Sequence, residues 1–405
     1  MKLNINSLLL FFLSTFAPLP IFFDLSNLSI IFVANTLDTS FEPLIPLPIS
    51  FVFFVLVFFI NLPLSLKKFS YKRFVYLFCL ILLLTFLSTL NAIPFTRFIQ
   101  FTLPLSLILS IPAIVGSFNI YSAYSFILSL SAFSIVHLFY NFFGLNNSNC
   151  SYNCNIIFLD YEIYHGSVGF PDVILFVVSA SLLLSQSLKK SILKYIFLAL
   201  SFFLLFYAFF VGRTATIFAI LIAIVFVTFK ETIRILSSFK INKTFFILSF
   251  LTLLCFVVYG EAIFGRIDLL YRKIFDVSGI SSPRIIIYNY YLEAFLENPS
   301  NLIFGGLSKD IDGHNFIIST LSNIGLIGLS ILVSCYWIGF LQLKERFKLS
   351  LNNLNILETF ALNLSFSTIL VGNFINDALT QTFNVIVMFV FLILLISILE
   401  NKKTL

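Results

Sequence analysis

Residues 192–229 read ILKYIFLALSFFLLFYAFFVGRTATIFAILIAIVFVTF. Two apolar runs, 192–210 and 214–229, meet at Gly212-Arg213-Thr214 with almost no polar connection between them. A run of about twenty apolar residues is long enough to cross the hydrocarbon core of a bilayer as a helix. The lipid interior admits only structures whose backbone polar groups are satisfied internally. The stretch therefore reads as two successive membrane helices with an arginine pinned at the interface where they join.

The rest of the chain repeats this composition. Of 405 residues, 60% are hydrophobic and 10% charged, with 55 Phe, whereas soluble domains carry about a quarter charged residues. A soluble fold is excluded. The formal charge of +6 does not point to nucleic acid, because it follows the rule that cytoplasmic connections collect Lys and Arg. Apolar runs near 8–34, 45–65, 74–92, 98–117, 123–143, 172–187, 192–210, 214–229, 244–259, 315–342, 354–373 and 380–399 predict an all-α polytopic membrane protein of about twelve spans. The opening residues resemble a signal peptide but lack a small-x-small cleavage site, so they read as a first membrane segment, interrupted by Pro18, Pro20 and Asp24.

With both termini cytoplasmic, most basic residues fall on the inner connections near 66–73, 188–194, 230–243 and 343–348 and on the two tails. The outer side keeps Arg97, Arg213, Arg266, Arg272, Lys273, Arg284 and Lys309. A miscounted span would invert that bias downstream of the error. The whole chain, 1–405, reads as one integral-membrane domain, with long outer loops near 144–171 and 260–313. The second lies between the ninth and tenth spans and contains Ser282-Pro283-RIIIYNYYLEAFLE-Asn298-Pro299. Ser as cap, Pro at the first helical position and a Pro after the end predict a helix there, lying on the membrane surface or packed over the bundle.

Five Cys are too few for a disulfide scaffold. Cys79, Cys255 and Cys335 lie in apolar runs, where a cysteine behaves as a small hydrophobe. Cys150 and Cys154 share an Asn-rich loop and would pair in an oxidising compartment. No His or carboxylate cluster at zinc spacing accompanies them, so no metal site is expected.

Polar chemistry has few places to reside. Arg284 falls in the first turn of the loop helix, where free N–H groups already favour an anion and a guanidinium adds a two-pronged donor for phosphate oxygens; a solvated loop Arg also fits. Arg213, held near membrane depth, either lines a polar cavity or snorkels to headgroups. His314 stands at the start of a membrane run after Asp310, Asp312 and Gly313. A helix N-terminus disfavours imidazolium, leaving a neutral ring able to accept a proton; an ordinary interfacial His is the alternative. Gly325 and Gly328 lie deeper in that run, where small residues let helices approach closely. Asp377 occupies a short outer turn, and His137 and His165 have no comparable setting.

Taken together, Gly212-Arg213-Thr214, Pro283-Arg284 with Tyr288 and Asn298-Pro299, and His314-Asn315, nine residues, Gly325-x-x-Gly328 resemble the O-antigen ligase and polymerase family of bacterial membrane glycosyltransferases. The resemblance covers roughly residues 200–390. It implies a GT-C-like helical bundle in the inner membrane, multi-pass, with its site on the periplasmic face. The donor it implies is an undecaprenyl-diphosphate-linked oligosaccharide, with neither metal nor other cofactor. By resemblance Arg213 and Arg284 hold the diphosphate and His314 acts on the acceptor hydroxyl, with Asn315, Asp312, Arg266 and Asp377 as substrate-binding residues. Membrane lipids and a chain-length regulator are the implied partners, and nucleic acid is not. A loop with His314 only thirty positions after Arg284, shorter than in most ligases, favours a polymerase, with a ligase as the alternative. A flippase or other transporter is the rival outside the family; it would show internal repeats, interrupted helices and charges near the bilayer midplane.

Overall fold

The computed structural model describes residues 5–18, 21–24, 29–32, 47–93, 95–142, 155–158, 161–164, 170–188, 191–211, 214–238, 283–307, 315–347, 354–375 and 382–404. These are overwhelmingly helical: α1 Ile5–Phe16, α2 Ile49–Lys67, α3 Tyr71–Leu90, α4 Phe95–Ile114, α5 Ile120–Phe142, α6 Phe170–Ser187, α7 Ile192–Val211, α8 Thr214–Ser238, α9 Pro283–Glu297, α10 Pro299–Phe304, α11 Phe316–Phe347, α12 Ile356–Ile375 and α13 Thr382–Thr404. Short antiparallel strands complete them: β1 Ile21–Asp24 pairs with β2 Ser29–Phe32 and with β3 Leu47–Pro48, and β4 Asn155–Phe158 pairs with β5 Tyr161–Tyr164.

Among the described residues four helices are long and apolar enough to cross a membrane: Ser50–Lys67, Tyr71–Leu90, Phe316–Phe347 and Ile356–Asn373. There are five if Ile108–Ser117 and Ile120–Ile135, bent by 110°, form one broken span. Shorter apolar helices cover Ile5–Phe16, Val173–Ser187, Ile192–Ala208, Ala215–Lys230 and Val385–Glu400. The protein is thus a helical membrane protein. Every expected segment from 45–65 to 214–229, and from 315–342 onward, contains a helix. The first does not form a single span: α1 stops at Phe16 and strands follow, because Pro18 and Pro20 lack the N–H that would continue the ladder. The expected segment 244–259 lies outside the described residues, as do Cys150, Cys154 and Cys255.

At the centre stands α6, buried on every side from Val173 to Ser185 and surrounded by α5, α7, α12 and α13. A helix with no exposed face must satisfy its hydroxyls internally. Ser181 accordingly donates to the Phe197 carbonyl of α7 at 2.7 Å, and Ser179 to its own Leu175 carbonyl at 2.9 Å. A second apolar cluster joins α3, α4 and α11 through Leu77, Leu84, Leu105, Ile324, Leu332 and Cys335. Cys79, by contrast, is exposed on α3. Outward faces carry Phe59, Tyr76, Phe86, Phe226 and Trp337, the apolar surface expected of a lipid-facing bundle.

Proline inside a membrane helix is tolerated where neighbours satisfy the freed backbone groups. Near Pro112 of α4, the Ser65 hydroxyl of α2 donates to the Ser110 carbonyl at 2.9 Å and accepts from the Ala113 N–H at 3.1 Å. Polar contacts also define one end of the bundle. Asn6 meets Asn61, Lys230 donates to Thr359 and Asn355 to Gln186. Arg73 of α3 donates to Gln342 of α11 at 3.0 Å and pairs with Glu345, and Gln342 donates to the Lys68 carbonyl at 3.3 Å. This basic end collects Lys67, Lys68, Lys72, Arg73, Lys230 and Lys344. The opposite ends of α3 and α11 meet α10.

Candidate functional site

Helix α11 begins with a cap. Asn315 is buried and its Oδ1 accepts from the Ile317 and Ile318 N–H groups at 2.9 and 3.2 Å, while its carbonyl takes the Ser319 N–H at 2.8 Å. The asparagine expected to bind substrate thus commits its side-chain oxygen to the helix start, and His314 immediately precedes that cap in sequence.

The helix breaks at Gly325, where φ is 67° and ψ is −174°. An L side chain rarely adopts this conformation. A Cβ here would also overlap the Ile303 carbonyl and stand 2.5 Å from the Gly305 nitrogen. The small residue was expected to admit a neighbouring helix, and it does: the backbone of the last turn of α10, at Ile303, and of Gly305 just after it lies against Gly325. Gly328 serves the same break: its missing side chain leaves room for Ile324, whose Cβ and Cγ1 would lie 2.5 Å from any Cβ placed there. The nine residues between Asn315 and Gly325 are therefore a half-helix with a cap at one end and a break at the other. Its polar groups are occupied: buried Thr320 donates to the Phe316 carbonyl at 2.6 Å and buried Ser322 to Ser319 at 3.0 Å, and the half-buried Asn323 amide donates to Ser319 at 2.6 Å.

A helix break leaves carbonyls without intrahelical donors. Here the segment 303–307 supplies them. The Gly306 N–H donates to the Asn323 carbonyl at 3.3 Å and the Leu307 N–H to Ser322 at 3.0 Å. Asn91, at the end of α3, donates through Nδ2 to the Phe304 carbonyl at 2.6 Å and to the Asn323 carbonyl at 3.0 Å. Gly305 and Gly306 have φ of 85° and 90°, and a Cβ on Gly305 would stand 2.6 Å from the Asn323 carbonyl carbon.

The arm upstream is the helix expected from Ser282-Pro283 to Asn298-Pro299. It forms as α9, Pro283–Glu297, with Arg284 second in its first turn, and Pro299 opens α10. Around α9, Tyr291 is buried with Phe295 partly so, Leu292 and Leu296 are exposed beside them, and Asn289, Glu293 and Glu297 occupy the remaining side. One flank packs on the bundle, and the adjoining flank leaves its leucines exposed. Helices α7 and α8 end and begin on either side of Arg213, at Val211 and Thr214. Thr216, buried one residue into that apolar run from Ala215, has no hydrogen-bond partner for its hydroxyl.

His314, Asp312, Arg213, Arg266 and Asp377 lie outside the described residues. Of the expected site, the structure describes the Asn315 cap and the Gly325 break on one helix and the backbone of Arg284 in the first turn of α9. Sequence reading missed Asn91, Asn323 and the Gly305-Gly306 pair. The glycine doublet directly after a Pro-initiated helix was the available signal for a strained turn. A shallow groove of about 300 Å³ between α3 and α11 is lined by Leu80, Leu326, Ile327, Ser330, Ile331 and Ser334. Its hydroxyls donate back to their own helix at 2.8 Å, so it presents hydrocarbon rather than chemistry. Among the described residues no three His, Cys, Asp or Glu side chains come together as a metal site would require. No protein-family model matches the chain, and no curated protein matches it significantly.

Proposed function

We propose that this protein is a metal-independent, inverting membrane glycosyltransferase of the O-antigen polymerase type. It would join lipid-diphosphate-linked repeat units on the periplasmic face of the bacterial inner membrane. One observation supports this most: the Asn, nine-residue, Gly-x-x-Gly part of the pattern corresponds to a capped and broken half-helix, and segment 303–307, which follows the helix beginning Pro283-Arg284 and the short α10, docks at its break.

In this reading the acceptor hydroxyl oxygen bonds to the anomeric carbon as the bond from that carbon to the diphosphate oxygen breaks. The diphosphate leaves with the bonding electron pair, and the hydroxyl proton passes to His314. Arg213 and Arg284 stabilise the charge growing on the leaving group, while Asp312, Arg266, Asp377 and Asn315 contact sugar. A positioned base contributes typically about 10²–10⁴-fold, and holding both chains together supplies more. The topology that goes with it has about twelve spans, both termini cytoplasmic and loop 260–313 periplasmic. Cysteine at Ser308 should label from outside intact cells, and cysteine at Ser237 only after permeabilisation. The reverse pattern would sink the orientation.

A transporter is the second reading, favoured by the break in α11 and the 110° bend between α4 and α5. Against it, the Ser322 and Asn323 carbonyls that such a break would offer to an ion already accept from Gly306, Leu307 and Asn91. The deciding experiment is a surface-glycan gel from a deletion strain complemented with variants. His314→Ala and Arg284→Ala should each abolish chain extension at normal protein level. Arg284→Lys should not rescue, since an ammonium lacks the planar fork, and His137→Ala should remain active. Single repeat units on the acceptor identify a polymerase, and their absence a ligase. Long-chain glycan made by His314→Ala would refute the assignment of the base.

A further inference from the structure

We infer that Asn91 is a positioning residue: its side-chain amide locks segment 303–307 into the Gly325 break, and so anchors the C-terminal end of region 283–307 against the half-helix that Asn315 caps. The lock stands on hydrogen bonds alone; its consequence for turnover rests on the glycosyl-transfer reading above.

The end of α3 is built to present this side chain. Asn91 N–H closes on the Leu87 carbonyl at 3.1 Å, Ala92 on Thr89 at 3.0 Å and Ile93 on Ser88 at 3.0 Å, the double closure of a Schellman motif. Its left-handed position normally holds glycine. Here it holds Ala92, at φ 47°, the one non-glycine residue with positive φ among those described. A strained conformation persists where surrounding contacts hold it. The two backbone closures hold it here, and they present the Asn91 amide, whose Nδ2 donates to both Phe304 and Asn323, 213 and 232 residues away in sequence.

Both acceptors are carbonyls orphaned by helix ends. Phe304 closes α10, and Asn323 precedes the break in α11. One short side chain with two N–H groups serves both. Aspartate matches its shape but offers no donor to a carbonyl, and a hydroxyl offers only one. Gly306 completes the fit, since a Cβ there would stand 3.3 Å from the Asn91 Oδ1. Segment 303–307 and the half-helix are therefore joined through α3 as well as through their own backbones, so neither shifts against the other without breaking the amide's bonds.

The test uses the full-length protein with its five native cysteines replaced and Leu307→Cys added, a half-buried position inside the lock. Labelling by a membrane-impermeant maleimide is compared with and without Asn91→Asp. Loss of the lock should raise the labelling rate roughly thirtyfold, about two hydrogen bonds' worth. Without the cysteine, Asn91→Asp should lower kcat on a lipid-diphosphate-linked donor by roughly ten- to a hundredfold with KM unchanged, as displacement of a catalytic group does. If Asn91→Asp does not accumulate, Asn91→Ala removes both donors without adding charge and is held to the same readouts. Unchanged labelling overturns the lock. Faster labelling with wild-type kcat, or a raised KM with kcat intact, overturns the positioning role. A wild-type protein without transferase activity counts against the proposed function, and labelling then decides the lock by itself.

Discussion

Helices α3 and α11 are clasped to each other twice, and the two clasps are made of different chemistry. At the basic end, Arg73 bridges Glu345 and Gln342 with charged and amide side chains, and Glu345 is largely exposed. At the other end, Asn91 meets backbone carbonyls beside a helix break, with Gly305 and Gly325 packed too closely for side chains. An exposed ion pair exchanges one set of water-accessible partners for another and adds little. The Asn91 bond to Phe304 is exposed as well and that to Asn323 part-buried, but beside them Gly305 and Gly325 are buried backbone against backbone, a contact that water does not replace. The first clasp can be lost without consequence to the fold. The second is part of the fold.

The sharpest way to break this contrast is Gly325→Ala. Positive φ and overlap with the Ile303 carbonyl act together, so a loss on the order of 3 kcal/mol or more is expected. It should appear as a collapsed melting midpoint or vanishing monodisperse protein in detergent. Gly116→Ala is the control, since a Cβ there meets nothing within 4 Å. Wild-type melting of Gly325→Ala would mean that the break is not needed.

A smaller effect is expected at the cap. Asn315→Ala removes the acceptor for two N–H groups at the start of the half-helix and should cost about 1 kcal/mol, with Asn315→Ser recovering most of it. Because stability and turnover are read separately, this variant also sharpens the site. A loss of activity that Asn315→Ser restores marks the cap as the relevant function of the residue. Persisting inactivity with restored stability instead points to a sugar contact by the asparagine amide.

The difference between the two clasps also explains what the sequence could disclose. Membrane helices are legible because an apolar run of eighteen or more residues has few alternatives in lipid, and α2, α3, α11 and α12 all lie where such runs do. Helix α9 was legible from Ser282-Pro283 and Asn298-Pro299, which are local signals. The break in α11 was not. Hydropathy sums over a window and cannot register the φ of a single residue, so 315–342 read as one continuous span. Asn91 was invisible for another reason: its partners lie more than two hundred positions away, and nothing local distinguishes it from any asparagine ending a helix. The interruption of the first segment was legible from its prolines, and α1 indeed ends at Phe16, just before Pro18. Of the candidate site, the spacing from His314-Asn315 to Gly325 was readable as a pattern, but its meaning as cap and break required coordinates.

The least effect is expected at the basic end. Glu345→Gln removes the carboxylate that pairs with Arg73, yet leaves the guanidinium donating to Gln342 at 3.0 Å and Gln342 donating to the Lys68 carbonyl at 3.3 Å. Gln342 is buried, whereas Glu345 is 64% exposed, so water replaces the lost partner without any group becoming orphaned. Screening by salt weakens such a pair further. The melting midpoint of Glu345→Gln should therefore match that of the wild type in both low and high salt, and glycan length should not change. A clear drop at low salt that disappears at high salt would show that the ion pair holds α3 to α11 after all, and the two clasps would then be of comparable weight.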